Sequence, residues 1–156
     1  MLARFELKIP PVVVFIIALV LTGSAAQLDI LPLPHPLRPF GFVLFIAGAA
    51  MGIAGVVAFR RHRTTVNPHS PHKASSLVNS GIFAYSRNPM YLGLVVAIVG
   101  FAFIMRDASG FIFALLTFIY LQRFQIIPEE RTMQSLFGAQ FSDYCQHTNR
   151  WYGRNS

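Results

Sequence analysis

Four long apolar segments dominate the chain and limit the folds that it can adopt. They cover residues 9–28, 39–59, 89–105 and 109–127. Because an α-helix rises about 1.5 Å per residue, roughly 20 apolar residues are enough to cross the hydrocarbon core of a bilayer. The segments therefore predict an all-α, polytopic membrane protein with about four transmembrane helices.

The composition agrees with a membrane protein. Apolar residues make up 54% of the 156 residues, and 13 Lys and Arg side chains face only 6 Asp and Glu. In a soluble protein that basic excess would favour nucleic-acid binding, but here the basic residues flank the apolar segments, where they determine membrane orientation. We therefore expect the lipid bilayer as a partner and no nucleic acid. The single cysteine, Cys145, excludes an internal disulfide.

The basic residues are distributed very unevenly between the two sides of the predicted membrane. If the N-terminus is cytoplasmic, 11 of them lie inside and two lie outside. The outer pair is Arg38 and Arg106, and the inner set is Arg4, Lys8, Arg60, Arg61, Arg63, Lys73, Arg87, Arg123, Arg131, Arg150 and Arg154. This split predicts that both termini, the loop 60–88 and the tail from Pro128 onward face the cytoplasm. We expect a multi-pass protein of a bacterial inner membrane.

The first segment has a second interpretation. Arg4 and Lys8 precede an apolar stretch that ends in small residues at Ser24, Ala25 and Ala26, which is also the pattern of a cleavable signal peptide. The apolar stretch is long for a signal core, which favours a retained helix, but both interpretations stay open.

The helices are predicted to form one membrane domain. Only residues 106–108 separate the third and fourth segments, so these two should form an antiparallel hairpin. Gly48 and Gly52 have the small-xxx-small spacing that lets helices pack closely in lipid. Pro128 is predicted to start a new helix and Gly138 to end it, which leaves a short amphipathic helical tail.

Charged residues meet the hairpin at one membrane face. Arg87 lies just before the third segment, where Asn88 can cap the helix and Pro89 suits its first position. Glu129 and Glu130 directly follow the fourth segment. Singly, the arginine would be expected to reach lipid phosphates and the glutamates to favour a helix dipole. Together, at the ends of neighbouring helices, they predict one charged cleft.

Two stretches that contain these residues resemble the isoprenylcysteine carboxyl methyltransferase and phospholipid methyltransferase group of membrane enzymes. They are "LVNSGIFAYSRNPMYLG" at 77–93 and "EERTMQSLFGAQFSDYCQHTNRW" at 129–151, with "TTVNPH" at 64–69 ahead of them. The eukaryotic prenylcysteine enzymes usually have histidine where this chain has Asn88, which bears on the acceptor more than on the cofactor.

The resemblance implies that the part from residue 60 to 156 binds S-adenosylmethionine at the cytoplasmic face. Hydrophobicity alone predicts that residues 1–59 supply two transmembrane helices. It implies Arg87 and Glu130 as catalytic residues and no metal. The cofactor-binding residues that it implies are His69, Leu77, Val78, Gly81, Phe83, Asn88, Pro89, Tyr91, Glu129, Glu130, Phe137 and Tyr144.

The predicted function is methyl transfer to a lipid-like acceptor, such as an isoprenylcysteine carboxylate or a phospholipid amine. A carboxylate needs no base, whereas an amine must first lose a proton, for which His69, His72 or a glutamate is available. Two alternatives stay open: an NADPH-dependent membrane sterol or steroid reductase, and a non-catalytic membrane assembly protein. The acceptor and the oligomeric state are not determined by the sequence.

Overall fold

The computed structural model describes residues 6–29, 31–62 and 76–154. Within these ranges all regular secondary structure is helical, apart from isolated β-bridges, which confirms the all-α prediction. The α-helices are α1 (Pro11–Gln27), α2 (Arg38–Arg61), α3 (Pro89–Met105), α4 (Ser109–Leu121), α5 (Ile127–Phe137) and α6 (Ala139–His147). Short 3-10 helices cover His35–Leu37 and Gly81–Ala84.

α3 is the central helix of the bundle. It packs against α2 on one side and against α1 and α4 on the other. Ile98 of α3 is fully buried in a cluster with Ala18 of α1 and Ala114 of α4. Small alanines beside a large isoleucine let the three helices approach closely, so α3 has neighbours on most of its surface.

Glycines bring α2 and α3 into backbone contact. A Cβ added to Gly48 would lie 2.4 Å from the carbonyl oxygen of Gly93, and one added to Gly100 would lie 2.5 Å from the nitrogen of Phe45. The predicted packing role is therefore confirmed for Gly48. It is wrong for Gly52, around which an added Cβ would meet no atom of the described residues within 4 Å.

The hairpin of α3 and α4 forms as predicted. Arg106 ends α3 in the left-handed conformation, with φ of 62°. The Asp107 carboxylate then accepts hydrogen bonds from the Ser109 backbone at 2.8 Å, from the Ser109 hydroxyl and from the Leu31 backbone at 3.3 Å. Asp107 is 2% exposed, and it joins the turn between α3 and α4 to the loop between α1 and α2.

The predicted break at Pro128 is wrong, because α4 continues into α5 through a five-residue π-helical segment, Gln122–Ile126. In that segment the Ile127 backbone N–H donates to the Gln122 carbonyl, five residues earlier. Proline lacks an N–H and its ring clashes with the preceding turn of an α-helix. A wider π turn immediately before Pro128 makes room for the ring, so the helix runs on to Phe137.

Within the described ranges, two helices are long and apolar enough to cross a membrane: residues His35–Arg61 and Ser109–Phe137. α1 and α3 are apolar but shorter, with 17 residues each. The side chains of Val43, Ile46 and Ile53 on α2 are 63, 66 and 64% exposed. That exposure is typical of a lipid-facing helix rather than of the core helix of a soluble protein. The number of four spans and the orientation stay predictions.

The tail packs back onto the bundle. α5 ends at Phe137, and Gly138 follows with φ of 50°, as its predicted role of helix terminator requires. Phe141 and Tyr144 of α6 are each 6% exposed. The amphipathic tail is therefore confirmed for α6, whose apolar face is buried against the protein, whereas Leu136 of α5 is 43% exposed.

Candidate active site

An ion pair connects the start of α3 to the first turn of α5. Arg87 donates to Glu130 Oε1 from Nε at 3.1 Å and from Nη2 at 2.8 Å. The two side chains are only 12 and 16% exposed. The pair therefore fixes the start of α3 relative to the first turn of α5.

Glu130 has a second arginine partner. Arg150, three residues beyond α6, donates to Oε2 from Nη2 at 2.6 Å and from Nε at 3.0 Å. The hydrogen bond to Glu130 raises the pKa of Arg150 above its usual value. Both oxygens of Glu130 are therefore occupied, and the carboxylate lies between two guanidinium groups.

Arg87 also holds the C-terminal turn, which we define as residues 148–154. Its Nη1 donates to the carbonyl oxygens of Thr148 at 2.8 Å and Cys145 at 3.3 Å, and its backbone N–H donates to the Asn149 carbonyl at 3.0 Å. The turn is closed by the Asn149 backbone N–H, which donates to the Gly153 carbonyl at 2.9 Å. This arginine is thus a structural connector as well as a partner of Glu130.

Trp151 anchors the same turn on the other side. Its indole N–H donates to Gln122 Oε1 in the π-helical segment at 2.8 Å. Its ring stacks on Phe118 of α4, with the centroids 4.4 Å apart. The C-terminal turn is therefore fixed between the start of α3 and the end of α4.

Tyr91 and Glu129 form a second polar pair beside the first. The Tyr91 hydroxyl donates to Glu129 Oε1 at 2.5 Å, and Tyr91 is 8% exposed. Among the described residues Glu129 Oε2 makes no hydrogen bond. Within the described part of the chain, this second oxygen is therefore available to a ligand that donates a hydrogen bond.

An aromatic group borders these pairs. The Tyr144 hydroxyl donates to the Phe83 carbonyl at 2.6 Å, and the Phe83 ring meets Phe59 of α2 edge to face at 5.1 Å. Burial raises the pKa of Tyr144 far above its usual value, so the hydroxyl stays protonated and keeps donating. This bond docks α6 on the segment before α3.

The remaining predicted site residues lie on the same side of the bundle, with different surroundings. Val78 is buried and Leu77 half-buried, while Gly81 starts a 3-10 helix with φ of 62°. Pro89 is buried at the start of α3. Phe137 is half-buried, two helical turns beyond Glu130. His69 lies outside the described residues.

Asn88 does not cap α3, contrary to expectation. It is the residue before the helix, but its side chain makes no capping bond and instead donates from Nδ2 to the Arg150 carbonyl at 3.1 Å. The carbonyl of the C-terminal turn competes successfully for this amide. Asn88 therefore fixes the backbone of Arg150.

Arg150 and Gln122 are the residues of this region whose roles sequence reasoning missed. The sequence predicts Arg150 as an inner positive charge and as part of the tail motif, without a role at Glu130. Arg150 stands directly before Trp151, the one tryptophan of the chain. The sequence does contain one indication of the role of Arg150: it is a basic residue next to an aromatic residue within the tail motif. Nothing in the sequence pointed to Gln122.

Among the described residues, no group of three or more His, Cys, Asp or Glu residues lies close enough to hold a metal ion.

Residues 37–140 match the family of phospholipid methyltransferases. The match covers two thirds of the chain and includes Arg87, Tyr91, Glu129 and Glu130. The chain belongs to the phospholipid methyltransferase family. This is a family of membrane methyltransferases, which agrees with the apolar helices and with the resemblance found in the motifs. Neither the curated proteins nor the solved structures contain a significant match.

Membership of this family bears on the three functions that the sequence leaves open. It supports methyltransferase activity over a reductase or an assembly protein. The C-terminal turn, with Arg150 and Trp151, lies beyond the matched residues. Its contacts to Arg87, Asn88 and Glu130 nevertheless make it part of the same site.

Proposed function

We propose that this chain is an S-adenosylmethionine-dependent methyltransferase of the membrane that acts on a lipid-like acceptor. One observation carries the proposal: carboxylate, guanidinium and aromatic side chains converge around the start of α3 and the first turn of α5 in a chain of a methyltransferase family. If these residues only held the helices together, ion pairs would be enough, and no carboxylate oxygen would need to stay without a partner. Glu129 Oε2 supplies such an oxygen.

The residues present fit the chemistry of this cofactor. Its ammonium and ribose hydroxyls need acceptors, its carboxylate needs a cation, and its adenine needs an apolar or aromatic wall. Glu129 offers an acceptor, the arginines at Glu130 offer the cation, and the Phe83 and Tyr144 region offers aromatic surface. When bound, the cofactor supplies an electrophilic methyl group. No cluster of metal ligands is needed for that transfer.

The protein's contribution is alignment and exclusion of water. Arg87, Glu130 and the C-terminal turn hold the ends of α3 and α5 in one arrangement, which preorganises the site. The apolar surfaces of α3 and α4 next to this site suit an acceptor that stays in the bilayer. An acceptor carboxylate is already ionised, whereas an acceptor amine requires a group to take its proton. In the amine case His69 and His72, which lie outside the described residues, are the candidates for this proton, because Glu129 Oε2 is assigned to the cofactor.

The proposed topology has four spans with both termini in the cytoplasm of a bacterial inner membrane. At about 1.5 Å per residue, the 17 residues of α1 and of α3 extend roughly 25 Å. That length is a few ångströms short of a typical hydrocarbon core, and local thinning of the bilayer accommodates such a difference at modest cost. The distribution of basic residues supports a cytoplasmic site.

A binding experiment tests the proposed class. S-adenosylhomocysteine and NADPH are titrated separately into the protein in nanodiscs, with calorimetric detection. We expect saturable binding of the adenosyl ligand and none of NADPH. Saturable binding of NADPH alone would support the reductase alternative instead. Binding of neither ligand would favour a non-catalytic role.

Two matched variants sharpen that test. Glu130→Gln removes the charge between Arg87 and Arg150, and we expect S-adenosylhomocysteine binding to weaken about 10-fold or more. Glu6→Gln is the control, because Glu6 likewise pairs with two arginines, Arg123 and Arg131. Equal losses in both variants would argue against a ligand site at Glu130.

The acceptor class follows from the stability of the labelled product. Protein in nanodiscs is incubated with methyl-labelled S-adenosylmethionine and either a prenylcysteine analogue or phosphatidylethanolamine. Alkali releases methanol from a carboxyl methyl ester, whereas a methylated amine keeps its label. Label transferred to neither acceptor would exclude both as substrates.

A further inference from the structure

Arg87 and Arg150 both contact Glu130, but they differ in how many of their guanidinium nitrogens remain available to bind a ligand. All three guanidinium nitrogens of Arg87 already donate to acceptors within the protein. Two of those acceptors are carbonyls that attach α6 and the C-terminal turn to α3. Turning Arg87 toward a ligand would therefore break the contacts that build the site.

One edge of the Arg150 guanidinium, which carries Nη1, makes no hydrogen bond to Glu130; we call it the unused edge. Its Nε and Nη2 donate to Glu130, while its Nη1 has no hydrogen-bond partner among the described residues. Its side chain is 34% exposed, against 12% for Arg87. Because a guanidinium presents its N–H groups in a planar fork, it can bind one carboxylate on one edge and a second on the other.

The unused edge of Arg150 and the free oxygen of Glu129 make a complementary pair. Glu129 and Glu130 are adjacent in the first turn of α5, so the Glu129 carboxylate is one residue away from the carboxylate that binds Arg150. An α-amino acid carries an ammonium and a carboxylate on the same carbon. One free acceptor and one free cationic edge are what such a zwitterion requires.

Arg150 is also held in place before any ligand arrives. Its carbonyl oxygen accepts the Asn88 side-chain amide, and the neighbouring Trp151 stacks on Phe118. Its position therefore costs little further ordering on binding, which favours affinity.

We propose that Arg150 binds the carboxylate of the methyl donor's amino-acid end, whereas Arg87 positions Glu130 and the C-terminal turn without contacting the donor. This assignment rests on the proposed function. It gives the C-terminal turn a binding role outside the residues matched by the family.

The test compares two ligands that differ only in that carboxylate: S-adenosylhomocysteine and its decarboxylated analogue. Both are titrated calorimetrically into the full-length protein in nanodiscs. The unmodified protein should prefer the carboxylate ligand by about 10-fold or more, the effect of one charged hydrogen-bonded contact. In Arg150→Gln the preference should fall to about 1, with the affinity for the decarboxylated ligand changed by less than about threefold.

Three variants serve as comparisons. Arg154→Gln removes the same charge from the same turn and should leave the preference intact. Arg87→Lys should weaken both ligands equally, because a positioning residue acts on the whole site. Arg150→Lys keeps the charge but loses the fork, so it should lower the preference partly, and it replaces Arg150→Gln if that variant does not fold.

The outcomes separate this assignment from the function on which it rests. If the unmodified protein binds S-adenosylhomocysteine and Arg150→Gln retains the preference, the assignment to Arg150 is wrong and the function stands. If only Arg87→Lys abolishes the preference, the carboxylate belongs to Arg87. If the unmodified protein binds neither ligand, the proposed function fails, and the assignment fails with it.

Discussion

The Tyr91 hydroxyl donates a hydrogen bond to Glu129 Oε1 at 2.5 Å, which links α3 to α5 inside the candidate site. Tyr91→Phe removes this donor and leaves a half-buried carboxylate with one partner fewer. We expect the free energy of unfolding to fall by about 1–3 kcal/mol, the range for a lost hydrogen bond to a charged or buried group. Thermal unfolding in detergent measures the change. Tyr152→Phe, at a side chain that is 74% exposed, is the control, and equal stabilities of the two variants would contradict the prediction.

The glycines of α2 provide a paired test of helix packing. Gly48→Ala would place a methyl group 2.4 Å from the Gly93 carbonyl oxygen, so α2 and α3 must separate. We expect a loss of about 1–3 kcal/mol, as for other overpacked contacts. At Gly52 an added Cβ meets nothing within 4 Å, so Gly52→Ala should be neutral or stabilising by up to about 1 kcal/mol. Resistance to unfolding by sodium dodecyl sulfate ranks the variants, and a larger loss at Gly52 would contradict the packing described here.

Asp107 predicts a pH-dependent contribution to stability. Burial opposes ionisation of this carboxyl, but hydrogen bonds from Ser109 and Leu31 outweigh that effect and hold its pKa below the usual value. A lowered folded-state pKa means that the contribution is complete above the unfolded-state pKa of about 4 and is lost as the pH falls through the folded-state value. Asp107→Asn should therefore be less stable than the unmodified protein at pH 7. The difference in Tm should shrink below about pH 4, and a constant difference across that range would contradict the account.

Trp151 should report on ligand binding through its fluorescence. It is the one tryptophan of the chain, and it adjoins Arg150 while stacked on Phe118. Occupation of the site should change the environment of the C-terminal turn, so S-adenosylhomocysteine should shift or quench the emission with the same Kd as calorimetry. Trp151→Phe should lose the signal and keep part of the stacking. Saturable calorimetric binding with unchanged emission would mean that the turn lies away from the ligand.

Sequence patterns predicted the helices well because apolar runs and terminators act locally. The bounds of α3 and the end of α5 at Phe137 follow from Pro89 and Gly138, whose backbone preferences do not depend on distant residues. The continuation through Pro128 was not predictable in this way. It depends on a π turn immediately before the proline, and no residue pattern in that stretch signals one.

The site was predicted in part for the same reason. Arg87 and Glu130 could be brought together from the hairpin alone, since each lies at the end of one of two neighbouring helices. The partner role of Arg150 and the actual contact of Asn88 required the C-terminal turn to fold back onto α3. Asn88 and Arg150 are 62 positions apart in the chain and Arg150 and Glu130 are 20 apart, and local pattern carries no information about such contacts.

The sequence by itself determined the helical class, the membrane-protein composition and the meeting of Arg87 with the two glutamates, because each depends on hydrophobicity or on short-range chain geometry. Only the tertiary structure decided which hydrogen-bonding groups are occupied and which remain free. Among the described residues, every guanidinium nitrogen of Arg87 donates a hydrogen bond, whereas Arg150 Nη1 and Glu129 Oε2 have no partner. That distribution depends on how α6 and the C-terminal turn dock, because each N–H group donates to the nearest well-oriented acceptor.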